Sequence, residues 1–218
     1  MGLPPLFLIS DAARVGEDRF LSVLEQSIRA GLRMVQIREP TWSAAEVRRL
    51  ALRVQAALRD LAVDGVLVVM SRRPELACEL RLDGVHVGGG DPEAIVRCRA
   101  LVGSRRLVGY SAHSAPEILE AAQRGADYVT LSPVFSPISK SYALPPLGLH
   151  SFSRAALSSP IPVYALGGIR PEHAARLRRA GAAGAAAIGA ILDAPDAGGA
   201  TKAFLEAWRD AASPRAQK

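Results

Sequence analysis

The chain has no apolar run long enough to cross a bilayer, which speaks against membrane-spanning helices. Its first residues, Met1-Gly2-Leu3-Pro4-Pro5, lack the basic-then-apolar layout of a secretory signal. Cys78 and Cys98 are its only cysteines, too few for a disulfide scaffold, and free thiols in a reducing cytoplasmic compartment fit them better. Aromatic residues make up 5% of the chain, so little is available to interleave with cations as a nucleic-acid platform would require. The sequence also lacks a Cys/His metal cluster, a Walker phosphate loop and a serine nucleophile elbow.

What is present describes one globular domain. Apolar residues reach 49% and charged residues 22% of 218 positions, enough to bury a sizeable single core. The net charge of +6 comes mostly from arginine. Arg72-Arg73, Arg105-Arg106 and Arg178-Arg179 are scattered pairs with no shared stripe. They fit solvated helix faces and small anionic substrates better than nucleic acid.

Short β-rich runs alternate with amphipathic stretches. Strands are expected at Leu6–Ile9, Met34–Arg38, Val66–Met70, Gly84–Gly88, Leu107–Tyr110, Tyr128–Phe135, Pro162–Leu166 and Ala185–Ile188. Helices are expected over Phe20–Ala30, Ser43 to about Leu61, Pro74–Leu80, from Pro92, Pro116–Arg124, Pro171–Ala180 and Ala200–Asp210. Ser43 with Glu46 three residues on forms a capping box. Eight such units favour a single α/β domain, a (β/α)8 TIM barrel, over an open sheet. The longest break, Ser136–Leu147, is rich in Pro and Ser, and a loop of that length is expected to be functional or mobile.

A barrel carries its chemistry where strands end and helices begin. Gly167-Gly168 follows the seventh strand and Gly189 follows the eighth, where backbone N–H groups can cradle a phosphate; tight turns without a ligand are the alternative. Gln36 and Arg38 alternate along the second strand and therefore share a side, where a polar pair serves either a ligand or an exposed rim. Asp91 follows three glycines and can hold Mg²⁺ or cap a helix. Ser111 ends the fifth strand, His113 lies two residues on, and Ser139-Lys140 lies in the long loop, where the lysine can grip a phosphate or stay solvated. His86, between valines, reads as a satisfied core histidine.

In chain order these segments resemble the thiamine phosphate synthases and the related thiazole tautomerases. The resemblance rests on Val35-Gln36-Ile37-Arg38-Glu39, on Asp83 to Gly88 with Asp91, and on Gly125-Ala126-Asp127-Tyr128. It continues through Ser132-Pro133-Val134-Phe135 with Lys140 and Ala165-Leu166-Gly167-Gly168-Ile169. It implies an enzyme of thiamine biosynthesis that joins a pyrimidine diphosphate to a thiazole phosphate and releases diphosphate. Gln36, Arg38, Ser71, Arg72, Ser111, Ser139 and Lys140 would hold the pyrimidine diphosphate, with Arg38, Ser111 and Lys140 as the catalytic set. Gly168, Ile188 and Gly189 would hold the thiazole phosphate, and Asp91 would bind Mg²⁺ at a weakened site. Small phosphorylated substrates are the implied partners, with neither nucleic acid nor membrane, and a homo-oligomer is left open.

The chain departs from the resembling synthases at Pro40, where they carry lysine, and at Ser71-Arg72, where they carry Asn-Asp. Arg72 can replace part of a metal's role on the diphosphate or turn outward to solvent. Gly109 to Ser114 resembles the tautomerase segment, but Pro133 stands where tautomerases carry histidine, which leaves His113 as acid–base candidate for that activity. A non-catalytic binder of thiamine-precursor phosphates is the third reading.

Overall fold

The computed structural model describes residues 2–136 and 145–211. Eight parallel strands close in sequence order into one barrel. They are β1 (Leu6–Ile9), β2 (Met34–Ile37), β3 (Leu67–Ser71), β4 (Gly84–Val87), β5 (Leu107–Ala112), β6 (Tyr128–Leu131), β7 (Val163–Ala165) and β8 (Gly184–Ala187). The helices are α1 (Ala12–Val15), α2 (Glu17–Arg29), α3 (Ala44–Asp60), α4 (Pro74–Glu79), α5 (Glu93–Val102), α6 (Ala115–Gln123), α7 (Gly148–Leu157), α8 (Ala174–Arg179), α9 (Gly189–Leu192) and α10 (Ala197–Asp210), with a 3-10 turn at Pro171–His173. Parallel strands buried on both faces account for the near-continuous apolar runs in the sequence.

The alternation of side chains divides the core in two. Outward-facing residues such as Val35, Ile37, Val85 and Val129 pack with the inner faces of the helices. Inside the barrel, Phe7, Met34, Val69, Tyr128 and Tyr164 fill the lumen. Phe7 and Tyr128 both meet the Tyr164 ring edge-on, at centroid distances of 5.2 and 5.7 Å. These rings plug the lower barrel, so only the mouth at the C-terminal ends of the strands is left for polar groups. The expected capping box of α3 is present, with Ser43 Oγ accepting from the Glu46 N–H and Glu46 Oε2 accepting from the Ser43 N–H at 2.8 Å.

Several boundaries differ from the sequence reading. β6 ends at Leu131, short of the expected Phe135: Ser132 N still donates to Ala112 O, but Pro133 has no N–H to give the ladder. Val134 and Phe135 still donate to the carbonyls of Leu166 and Gly167, as a stapled loop. β5 runs on to Ala112, two residues past the expected end. Helices α1, α7 and α9 were not anticipated. α1 and α9 are single turns with too few residues to show a period, and α7 lies directly after the long Pro/Ser-rich break. The core of that break, residues 137–144, lies outside the described residues. Its far end is tied down, with Leu147 N donating to Pro133 O at 2.9 Å and Gly148 N to Val134 O at 3.0 Å.

Candidate active site at the barrel mouth

On one side of the mouth the ends of β7 and β8 surround a cavity of about 560 Å³. Its lining includes Gly167, Gly168, Arg170, Ile188 and Gly189. Gly168 has φ +63°, and a Cβ there would stand 2.7 Å from the Ser136 carbonyl oxygen and 2.8 Å from the Phe135 backbone. Only glycine supplies both the conformation and the clearance. Gly189 opens α9, where the N–H groups of Ile191 and Leu192 donate to the Ile188 carbonyl and those of Gly189 and Ala190 have no backbone partner. Asp11 and Asp193 also line the cavity, but Arg14 bridges them, with Nε 2.7 Å from Asp11 and Nη1 2.8 Å from Asp193. An incoming phosphate therefore meets backbone donors beside an acidic pair whose charge Arg14 offsets in part.

Across the mouth the polar residues of β2 to β6 converge. His86, buried on β4, has Nε2 2.9 Å from Ser111 Oγ and Nδ1 3.1 Å from the Tyr128 hydroxyl. Burial, with Arg38 and Arg72 nearby, pulls its pKa down to about 3, so the imidazole is neutral at physiological pH. Burial also holds the Tyr128 phenol protonated. Gly109 makes the triad fit, since a Cβ there would stand 2.5 Å from both His86 Nδ1 and the Tyr128 hydroxyl.

Gln36 and Thr130 are each 1% exposed, yet Gln36 Nε2 and Thr130 Oγ1 have no hydrogen-bond partner among the described residues. A buried amide and hydroxyl left unpaired cost energy, which a polar group entering the mouth, water or ligand, can relieve. Thr130 was not singled out from sequence. The signal was available, because it alternates with the lumen residue Tyr128 just as Arg38 alternates with Gln36.

Arg38 and Arg72 leave adjacent strands, since Ile37 pairs with Met70 across β2 and β3. Arg72 does not turn away. Its φ of +57° reverses the chain after β3, and its guanidinium lies where a Cβ of Gly88 would be. Ser71 stands beside His86 in the β3–β4 register. The glycines after β4 thus have distinct roles. Gly88 admits Arg72, Gly89 clears the Ser111 carbonyl and the His113 ring, and Gly90 takes φ +89° in the turn. Glu39, buried beside Arg38, was not anticipated as an anchor. Its carboxylate accepts from Ser10 Oγ at 2.6 Å and from the N–H groups of Ala12 and Ala13 at 2.8 and 2.9 Å, which fixes α1.

The Mg²⁺ implied by the resemblance finds a donor set that does not fit. Asp91 is exposed, caps the start of α5 through the Ala94 N–H and is paired with Arg97, which holds its carboxyl below the usual range. Among the described residues no three His, Cys, Asp or Glu side chains gather as metal ligands, and the undescribed segments contain no Asp or Glu. His113 has Nδ1 2.8 Å from the Ser132 carbonyl, an acceptor that selects the Nδ1–H tautomer. It does not line the β7/β8 cavity. Ser139 and Lys140 lie outside the described residues.

The whole barrel, mouth included, has relatives of known name. The thiamine monophosphate synthase family profile matches residues 6–191. This chain belongs to that family. It is 32% identical over 203 residues to a thiamine-phosphate synthase of Syntrophomonas wolfei, covering 93% of this chain and 95% of the relative. It is 33% identical over 201 residues to a thiamine-phosphate synthase of Roseiflexus castenholzii, covering 92% and 86%. Among solved structures, the thiamine phosphate pyrophosphorylase of Pyrococcus furiosus superposes with a TM-score of 0.81 over 95% of this chain and 96% of that one, at 24% identity, which speaks for the shared barrel. No described helix is long and apolar enough to cross a membrane.

Proposed function

We propose that this family member joins a hydroxymethylpyrimidine diphosphate to a thiazole phosphate and releases diphosphate. The observation that carries this reading is a mouth with two anion-receptive sides. One is a backbone cradle at Gly168 and Gly189; the other is a pair of guanidiniums, Arg38 and Arg72, beside unpaired Gln36 and Thr130. Two phosphorylated substrates need such an arrangement.

In the reaction the bond from the pyrimidine methylene carbon to the diphosphate oxygen breaks and diphosphate keeps the electron pair. The thiazole nitrogen then donates its own pair to that carbon. Such a step needs no protein nucleophile. It needs the leaving charge stabilised and the two rings held in line. Arg38 and Arg72, with Lys140 from the loop after β6, serve the leaving group. Gln36 and Ser111 orient the pyrimidine, and Gly168, Ile188 and Gly189 hold the thiazole phosphate. A neutral His86 suits this site, because a charged imidazole would oppose a developing pyrimidine cation. The two free cysteines fit a reducing cytoplasmic setting.

The tautomerase reading gains no support from the geometry, since His113, its candidate acid–base, stands away from the cavity lining. The test is turnover of both substrates to thiamine phosphate, followed by diphosphate release. Binding of both without product would favour a non-catalytic binder.

A further inference from the structure

We infer that Arg72 and Arg38 form a clamp that grips diphosphate directly, without a divalent cation between protein and phosphate. The clamp deepens the synthase reading and rests on it for the identity of the ligand.

Metal-bridged diphosphate needs acidic ligands at the mouth, and those in the loops there are already engaged. Glu39 accepts three hydrogen bonds that hold α1. Asp11 and Asp193 share Arg14. Asp91 is held by Arg97 and by the first turn of α5. The connections after β3 and β6 contribute no Asp or Glu.

The cations, in contrast, are free. Arg38 and Arg72 are both exposed at the ends of neighbouring strands, and neither side chain has a carboxylate or hydrogen-bond partner among the described residues. Both lie close enough to His86 to oppose its protonation. Two like charges on adjacent strand ends repel each other, and an anion between them relieves that repulsion. A guanidinium cannot lose its proton and offers paired N–H donors that match two phosphate oxygens.

Arg72 is also placed at an energetic cost. It holds the left-handed backbone at φ +57°, a conformation that costs a side-chain-bearing residue about 1–2 kcal/mol and tends to cluster at functional sites. Its guanidinium occupies the space that Gly88 leaves by having no Cβ. Exposed Arg81 shares the left-handed backbone, at φ +54°, so it is the seat above Gly88 that sets Arg72 apart.

The experiment is calorimetric titration of the full chain with inorganic pyrophosphate, in EDTA and in Mg²⁺, beside Arg72→Ala and Gly88→Ala. The second variant keeps the arginine and its charge. The three atoms nearest its new methyl all belong to the flexible end of the Arg72 side chain, so the guanidinium must move. The clamp predicts a Kd that differs by less than about threefold between EDTA and Mg²⁺, and a rise of about tenfold or more in Arg72→Ala. Gly88→Ala should show a weakening of several-fold with an unchanged melting temperature. Loss of native binding in EDTA overturns metal independence, whatever the variants do. Native affinity in both variants overturns the clamp. Turnover measured in parallel separates this from the synthase reading. Arginine-dependent pyrophosphate binding without product would leave the clamp standing and remove the activity. Turnover that requires Mg²⁺ and ignores Arg72→Ala would do the reverse.

Discussion

Replacing Gly168 by alanine tests the thiazole phosphate cradle with the smallest possible change. Two penalties follow from the structure. At φ +63° an alanine loses about 1–2 kcal/mol to its left-handed backbone. Its Cβ also stands 2.7 Å from Ser136 O and 2.8 Å from Phe135, backbone that cannot swing aside, and such overpacking costs about 1–3 kcal/mol. The sum is roughly 2–5 kcal/mol of stability. Gly65 provides the control. It has φ +73° and nothing within 4 Å of the position a methyl would take, so Gly65→Ala carries the backbone penalty alone. Urea unfolding of both variants isolates the steric part. Calorimetry with thiazole phosphate should then show at least about tenfold weaker binding for Gly168→Ala, about 1.4 kcal/mol, and none for Gly65→Ala. If the two variants lose equal stability and both bind thiazole phosphate normally, the packing of the loop after β6 against Gly168 does not shape the cradle.

Other outcomes follow from single groups. His86 has a folded pKa of about 3 against an ordinary 6.5, so the unfolded chain takes up a proton that the folded one refuses. Stability should therefore fall as pH drops from about 7, by about 2 kcal/mol at pH 5, and His86→Gln should flatten that slope in urea titrations; an equal slope in the variant would assign it elsewhere. Glu39→Ala removes the acceptor for Ser10 Oγ and two N–H groups, and thermal melts should show a loss of about 3 kcal/mol or more, with a near-native melt contradicting the anchor. Ser43→Ala should cost about 1 kcal/mol by loss of the capping box, and a neutral result would show that α3 is held by packing alone.

The barrel was legible from residue order alone. Short, near-continuous apolar runs and 3.6-period stretches alternate because every strand must bury two faces and every helix one. The glycines at the ends of the last two strands were legible too, as places where backbone can approach closely. Gln36 could be read through its alternation with Arg38, and His86 through its place between valines. The remainder came from tertiary structure. Whether Arg72 faced solvent or the mouth depended on one left-handed backbone angle and on the distant Gly88. Whether Asp91 was available to a metal depended on Arg97, within α5, and on the first turn of α5, whose Ala94 N–H it accepts. Thr130 gained its meaning only from its place inside the closed barrel, and Glu39 only from Ser10 and the first turn of α1. Periodicity fixes which side a residue faces, because that is set within a few bonds. What a residue meets there is set by chain closure across the barrel, which no local pattern encodes.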